Sequence, residues 1–175
     1  GSADVLEAAG VNIDLDADQV ARTIEAIGIG FLFAPAHHGA TRHAMLPRRE
    51  IGVRTIFNLL GPLTNPADAK YQLVGVFHKK WLRNICEVFR ELGSIHTLVV
   101  HSRDGLDEIS IAAETDIVEL RNNTITSYTV KPEELGVEQG SLEALRDAKP
   151  DASLDMISAA LGGDCLLYTS PSTRD

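Results

Sequence analysis

Apolar residues recur at two spacings in the middle of the chain, one typical of helices and one of strands. The stripe from Leu82 to Leu92 has helical spacing and Gly93 follows it, which predicts a helix over residues 79–92. Apolar runs at 73–77 and 95–101 flank this helix and predict strands. A strand, a helix and a second strand form a βαβ unit, so these two strands are expected to pair in parallel.

The remaining pattern extends this unit in both directions. Upstream, it predicts a helix at 4–9 with Ser2 as N-cap, a helix that Asp16 caps and Gly28 ends, and a buried strand at 29–33. Residues 40–52 are predicted to form two helical turns and 61–66 a loop. Downstream, short β segments at 109–111, 117–120 and 124–130 predict a hairpin, and 154–161 a last helix. The prediction is an α/β fold with a mixed, largely parallel sheet flanked by helices.

Composition and charge narrow the class of protein. The 175 residues are 44% hydrophobic and 23% charged, which is typical of a globular domain. A net charge of −9 argues against a nucleic-acid binder, which needs a basic surface. Neither a membrane span nor a signal peptide is predicted. The two cysteines lack disulfide or metal-ligand spacing, so we expect a reduced, cytoplasmic protein without a membrane partner.

An acidic segment directly follows the second predicted strand of the βαβ unit. It reads Asp104-Gly105-Leu106-Asp107-Glu108. In open α/β sheets, ligands bind beyond the carboxyl ends of strands, and Mg²⁺ prefers carboxylate oxygens there. Asp107 and Glu108 are therefore candidate ligands for Mg²⁺. A solvated acidic loop is the alternative, and spacing alone favours it.

Three further motifs contain residues suited to binding. Arg48 and its neighbour begin a predicted helix and have the paired donors that recognise a carboxylate or phosphate, although solvent exposure explains most such pairs. His38, in a His-His pair, is a candidate base or ring-stacking wall, or a structural hydrogen bonder. Gly61 and Pro62 form a turn that lets a ligand approach the backbone, or simply punctuate a loop.

The order and wording of these motifs carry a family resemblance. GFLFAPAHH at 30–38, PRREIGVRTIFNLLGPLTNP at 47–66 and DGLDE at 104–108 closely resemble anthranilate phosphoribosyltransferases, of the nucleoside phosphorylase and phosphoribosyltransferase family. The resemblance covers residues 1–161. Pyrimidine nucleoside phosphorylases share a version of NLLGPL but match less well at the His-His and Arg-Arg positions.

The resemblance implies a reaction and a set of roles. These enzymes transfer a phosphoribosyl group from 5-phosphoribosyl 1-diphosphate (PRPP) to the amine of anthranilate, in tryptophan biosynthesis, and release pyrophosphate. The implied roles are Mg²⁺ binding by Asp107 and Glu108, recognition of the anthranilate carboxylate by Arg48, lining of the anthranilate path by His38, Gly61 and Pro62, and PRPP binding by Ser2. Anthranilate and PRPP are the expected small-molecule partners.

The resemblance also implies a domain plan. The family combines a small helical domain with a larger α/β domain. Residues 1–163 would form part of the α/β domain, with about 40–60 contributing to the helical one, and 164–175 would be a non-native tail. The family's Gly-rich diphosphate loop would precede the chain, so the chain alone is expected to be inactive. The resemblance leaves open whether the complete protein forms a homodimer and whether it has a glutaminase partner. A pyrimidine nucleoside phosphorylase and a nucleic-acid-binding paralogue of the same fold are the alternative functions.

Overall fold

A computed structural model describes residues 2–33, 37, 57–143 and 149–162. The predictions made for residues 40–52 and 164–175, and for His38 and Arg48, lie outside these ranges. The chain divides into two compact units, Thr55–Ala144 and a second unit made of Gly1–Arg54 with Leu145–Asp175. In the described ranges, no helix combines the length and apolar character needed to cross a membrane.

The described elements follow one another in a simple order. They are α1 (Ser2–Ala8), α2 (Ala17–Ile27), α3 (Phe57–Leu63), β1 (Tyr71–Gly75), α4 (Leu82–Glu91), β2 (His96–Ser102), β3 (Thr115–Arg121), β4 (Thr124–Val130) and α5 (Pro150–Leu161). Two short 3₁₀ helices, Lys79–Trp81 and Pro132–Leu135, precede α4 and follow β4.

Helix α2 begins and ends where its sequence predicts. The Asp16 carboxylate accepts a hydrogen bond from Gln19 N at 2.8 Å, and the Gln19 side chain accepts one from Asp16 N at 2.9 Å. This reciprocal capping box satisfies amide groups that the first turn leaves free. Gly28 ends the helix in a left-handed conformation with φ of 79°. Ser2, by contrast, lies inside α1 and does not cap it.

Three predicted elements differ from the structure. The β segment predicted at 109–111 has no regular structure, because none of the described strands pairs with it. The apolar run at 29–33 has no regular structure, and Ile29 is 70% exposed, because hydrophobicity alone does not supply a neighbouring strand. The predicted loop at 61–66 begins as helix, since α3 continues through Gly61 and Pro62. Leu59 packs in the core, and the Thr64 hydroxyl donates to Leu60 O at 3.0 Å, so packing and capping outweigh the local Gly-Pro signal.

The sheet is mixed, as predicted, with strand order β1-β2-β3-β4. Strands β1 and β2 are parallel and α4 connects them, which confirms the βαβ unit. The other two pairings are antiparallel. Asn122 and Asn123 join β3 to β4 with φ of 50° and 62°, the geometry that tight hairpins need. One of the three described pairings is therefore parallel.

Helix α4 covers one face of the sheet and forms the core with it. Phe89, 1% exposed, belongs to a buried cluster drawn from α3, α4 and strands β1 to β3, and Ile125 of β4 packs against that cluster. The buried members of this core are Leu59, Val74, Val76, Leu82, Ile85, Cys86, Phe89, Val99, Val118 and Leu120. Burial of each large apolar side chain contributes about 1.5–3 kcal/mol, so this core fixes the positions of the strand ends.

Candidate active site

The carboxyl ends of β1 and β2 lie side by side and are joined beyond the last strand residues. Val76 N donates to Val100 O at 3.0 Å, which extends the ladder past Gly75. His101 Nδ1 lies 2.8 Å from Val76 O. Because a carbonyl oxygen only accepts, that nitrogen is the donor. Hydrogen bonds therefore hold together the ends of β1 and β2, from which the acidic segment leaves the sheet.

Asp104 shapes the acidic segment from within. Its carboxylate accepts from Leu106 N at 3.1 Å and from the Ser110 hydroxyl at 2.5 Å. Ser102 N also donates to Leu106 O at 2.9 Å, which folds the chain back on the strand end. Burial alone would raise the pKa of Asp104, but these hydrogen bonds outweigh it and lower the pKa. Asp104 is therefore a structural anion that holds the turn.

Asp107 and Glu108 follow this turn and have a different environment. Both are exposed, and among the described residues neither carboxylate makes a hydrogen bond or ion pair. The described ranges contain no group of three or more His, Cys, Asp or Glu side chains placed to hold a metal. Two carboxylates do suit Mg²⁺, because that ion usually keeps several waters and completes its shell with substrate phosphates.

A close backbone contact places this acidic pair against β1. A Cβ atom added to Gly75 would lie 1.7 Å from the carbonyl oxygen of Asp107. No side chain fits in such a space. The main chain of the acidic pair therefore rests directly on the last residue of β1.

Asp116 is the centre of an ionic cluster at the same end of the sheet. It is 6% exposed and accepts from Lys79 Nζ at 2.8 Å, Arg103 Nη2 at 3.0 Å and the Thr129 hydroxyl at 2.8 Å. Burial alone would raise the pKa of Asp116, but these donors lower it far below its usual range. The carboxylate is consequently ionised and fully engaged.

The cluster fixes the residue that precedes Asp104. The Arg103 guanidinium binds Asp116 and Glu114, and its backbone N donates to Glu114 O at 2.9 Å. Lys131 lies 3.8 Å from the same Glu114 carboxylate. The start of the acidic segment is thereby attached by its backbone to Glu114, the residue before β3, and by its side chain to Asp116 within β3.

The opposite face of the sheet holds a second polar network. Glu119 lies 2.8 Å from His96 Nε2 and accepts from the Tyr128 hydroxyl at 2.9 Å. Burial alone would raise the pKa of Glu119, but the Tyr128 and His96 hydrogen bonds lower it. Burial and the hydrogen bond to Glu119 raise the pKa of Tyr128 to about 12. This network contains no link to the acidic pair in the described residues and is best explained by pairing between strands.

The structure brings only some of the predicted site residues together. Asp107 and Glu108 share the carboxyl end of β2, whereas Pro62 lines a cavity of about 100 Å³ with Gln72 and Leu92, near the start of β1. A Cβ added to Gly61 would meet nothing within 4 Å. Ser2 belongs to the other compact unit. The roles of these residues therefore stay predictions.

Sequence reasoning missed three residues that build this end of the sheet. An isolated glycine within a strand often marks a close backbone approach, so the LVGVF segment contained a signal for Gly75. Arg103 and Asp116 gave none. They are 13 residues apart, and only the antiparallel pairing of β2 with β3 makes them neighbours.

Comparison with known proteins assigns the family. A family model described as a glycosyl transferase family, a/b domain, matches residues 1–170. The chain belongs to this family. Membership agrees with the mixed sheet and with the resemblance carried by the PRREIGVRTIFNLLGPLTNP and DGLDE segments.

Curated relatives are closely similar over most of the chain. An anthranilate phosphoribosyltransferase from Saccharophagus degradans is 57% identical over 163 residues, covering 93% of this chain and 48% of the relative. One from Azotobacter vinelandii is 57% identical over 162 residues, covering 93% and 47%. The chain thus spans about half the length of the curated relatives it matches.

Solved structures share the fold at lower identity. An anthranilate phosphoribosyltransferase from Saccharomyces cerevisiae in complex with 4-fluoroanthranilate has a TM-score of 0.79 and 23% identity, covering 91% of this chain and 46% of that one. The same enzyme in complex with PRPP and Mg has a TM-score of 0.78 and 24% identity, covering 90% and 44%. At these identities the similarity supports the fold.

Proposed function

We propose that this chain is part of an anthranilate phosphoribosyltransferase that uses Mg²⁺. The observation that carries the proposal is the exposed pair Asp107 and Glu108, which has no hydrogen-bond or ionic partner among the described residues and lies beyond the carboxyl ends of two parallel strands. The curated relatives at 57% identity carry that name, and a structural neighbour was solved with PRPP and Mg. Because the chain spans about half of those relatives, the activity belongs to the complete protein.

The proposed reaction exchanges one bond at the ribose C1 carbon for another. The C1–O bond to the diphosphate breaks and its electron pair leaves with pyrophosphate. The anthranilate amine contributes its lone pair to a new C1–N bond and then loses a proton to solvent. Positive charge develops on the ribose as the bond breaks, as in glycoside cleavage. Since the amine is already a competent nucleophile, the site needs no Ser, Cys or Lys nucleophile.

Asp107 and Glu108 would hold the metal in this scheme. Bound Mg²⁺ supplies charge neutralisation for the diphosphate and the departing pyrophosphate. Asp107 and Glu108 would present carboxylate oxygens to the metal at a fixed position and leave room for phosphate oxygens to complete its coordination. Asp104 and Arg103 contribute indirectly, because they are engaged within the fold and shape the turn before the pair.

Recognition of anthranilate is assigned by family resemblance. Arg48 would bind the carboxylate with paired N–H donors, a geometry that Lys cannot reproduce. His38, Gly61 and Pro62 would line the path of the ring. Ser2 would contact PRPP.

The first experiment tests the metal pair in the complete enzyme. Asp107→Asn combined with Glu108→Gln removes both charges with little change of shape. We expect kcat/KM to fall by at least about 100-fold, because without these carboxylates Mg²⁺ would no longer be held beside the leaving diphosphate to neutralise its charge. The matched control is Glu133→Gln with Glu134→Gln, another adjacent and exposed acidic pair. Normal Mg²⁺-dependent turnover by the first variant would refute the assignment.

The second experiment separates this function from its closest alternative. Arg48→Lys should raise the KM for anthranilate at least about tenfold and leave the KM for PRPP unchanged, since only the bidentate contact is lost. Equal effects on both substrates would contradict the role of Arg48. Phosphorolysis of a pyrimidine nucleoside by the complete enzyme, without turnover of anthranilate, would favour a nucleoside phosphorylase.

The proposal extends to the surroundings of the enzyme. A cytoplasmic location is supported by two cysteines without disulfide spacing, of which Cys86 is a buried free thiol. Anthranilate and PRPP are the proposed small-molecule partners. A homodimer and a glutaminase partner stay open questions, and the inactivity of the 175-residue chain alone stays a prediction.

A further inference from the structure

Gly75 touches the acidic pair through a contact that no rotamer change can relieve. An added Cβ would lie 1.7 Å from the carbonyl oxygen, 2.7 Å from the carbonyl carbon and 3.1 Å from the Cβ of Asp107. The two nearest atoms belong to the main chain. Any side chain at position 75 therefore requires that a backbone segment move.

The strand side of this contact is rigid. Gly75 pairs in register with Val100, which is 1% exposed. The residues on both sides of Gly75 in the chain, Val74 and Val76, are buried in the core. The backbone of Val76 is also hydrogen-bonded to the backbone of Val100 and to the ring of His101. Because a packed core resists displacement, strand β1 does not yield to a side chain at its end.

The loop side is held at its start and beyond its end. Ser102 and Leu106 are joined by a backbone hydrogen bond of 2.9 Å. Asp104 binds Leu106 N on one side of the acidic pair and the Ser110 hydroxyl on the other. The part between these bonds is residues 107–109. A side chain at position 75 would thus displace the acidic pair itself.

We propose that Gly75 is a positioning residue for the metal pair. Its missing side chain lets the Asp107 carbonyl rest on the end of β1, which fixes the direction in which the Asp107 and Glu108 carboxylates leave the sheet. This inference rests on the proposed role of those two carboxylates. It adds a requirement on a residue that itself carries no ligand atom.

The test uses the complete protein and Mn²⁺ as the probe. Binding of Mn²⁺ in the presence of PRPP is measured from the loss of the free-ion electron paramagnetic resonance signal. Groups that orient metal ligands typically change metal affinity by 10–100-fold when altered, so Gly75→Ala should raise the Kd for Mn²⁺ by about tenfold or more. The KM for anthranilate should stay unchanged, because the anthranilate contacts are not involved.

Val74→Ala is the matched control for general destabilisation. Val74 is 6% exposed in the same strand, and its side chain points to the opposite face from position 75. We expect this variant to lower the melting temperature without changing the Kd for Mn²⁺. An unchanged Kd in Gly75→Ala would overturn the proposal, as would an equal loss of affinity in both variants.

Two further measurements separate the ways in which the idea can fail. If Asp107→Asn with Glu108→Gln binds Mn²⁺ normally, the metal assignment in the proposed function is wrong. If that variant loses Mn²⁺ and Gly75→Ala does not, only the positioning role is wrong. Should Gly75→Ala not fold, a crystal structure of the unaltered protein with Mn²⁺ decides. The Asp107 carbonyl must lie within about 3.6 Å of the Gly75 Cα, the range of a Cα–H···O contact, and a carbonyl turned away would overturn the proposal.

Discussion

Asp116 offers the sharpest test of how the ionic cluster holds this end of the sheet. The change is Asp116→Asn, which keeps the shape of the side chain and removes its charge. Its two oxygens now accept from Lys79, Arg103 and Thr129. The new amide group would face these donors with a donor of its own, so at least one hydrogen bond is lost outright.

The size of the effect follows from burial. The Asp116 side chain is 9% exposed, so its lost partners cannot be replaced by water there. Breaking a fully buried pair costs about 3–5 kcal/mol. The Lys79 and Arg103 side chains are 64% and 50% exposed and regain hydration, which lowers the expected loss to about 2 kcal/mol of unfolding free energy.

Urea unfolding of the chain, followed by fluorescence, measures this loss. The only tryptophan is Trp81, which packs against the core of the same unit and therefore reports its unfolding. The control is Asp68→Asn, the same chemical change at an ion pair whose carboxylate is 81% exposed. We expect a lower midpoint with an unchanged slope for Asp116→Asn and no change for the control.

The contribution of Asp116 to the free energy of unfolding should depend on pH in a definite direction. The folded pKa of Asp116 is far below the unfolded value of about 3.9, so its contribution is complete above about pH 5 and lost as the pH falls through the folded pKa. The difference between parent and variant should therefore shrink on acidification. Equal midpoints for the two proteins at pH 7 would refute the reasoning.

Three further predictions concern the core and the second polar network. Burial raises the pKa of the Cys86 thiol to about 11, so in a Cys165→Ser background it should resist a thiol reagent at pH 8 until urea is added. Phe89→Ala should lower the unfolding free energy by about 3–5 kcal/mol, measured by urea titration, because its site is 1% exposed. In a phenolate absorbance titration Tyr128 should ionise well above the ordinary pKa of a tyrosine, and Glu119→Gln should lower its pKa. Rapid labelling of Cys86, a near-parent stability for Phe89→Ala or an unmoved titration would contradict them in turn.

Sequence patterns by themselves determined the features that depend on neighbours along the chain. The stripe from Leu82 to Leu92 predicted the βαβ helix because helical spacing places those residues on one face. Asp16 and Gly28 predicted the ends of α2 because capping involves only the adjacent turn. The acidic pair and the family were likewise predicted from contiguous motifs, and the family match confirms the latter.

Tertiary structure decided what depends on residues far apart in the chain. The run at 29–33 is apolar enough for a strand, yet strand formation requires a partner, and none pairs with it in the described structure. Asp116 became a buried anion only because antiparallel pairing brought Arg103 beside it. Position 75 requires glycine because the loop after β2 returns to the end of β1 and its main chain fills the space of a side chain there. Hydrogen bonds and steric contacts act over a few ångströms in space, whereas sequence patterns report only those between chain neighbours.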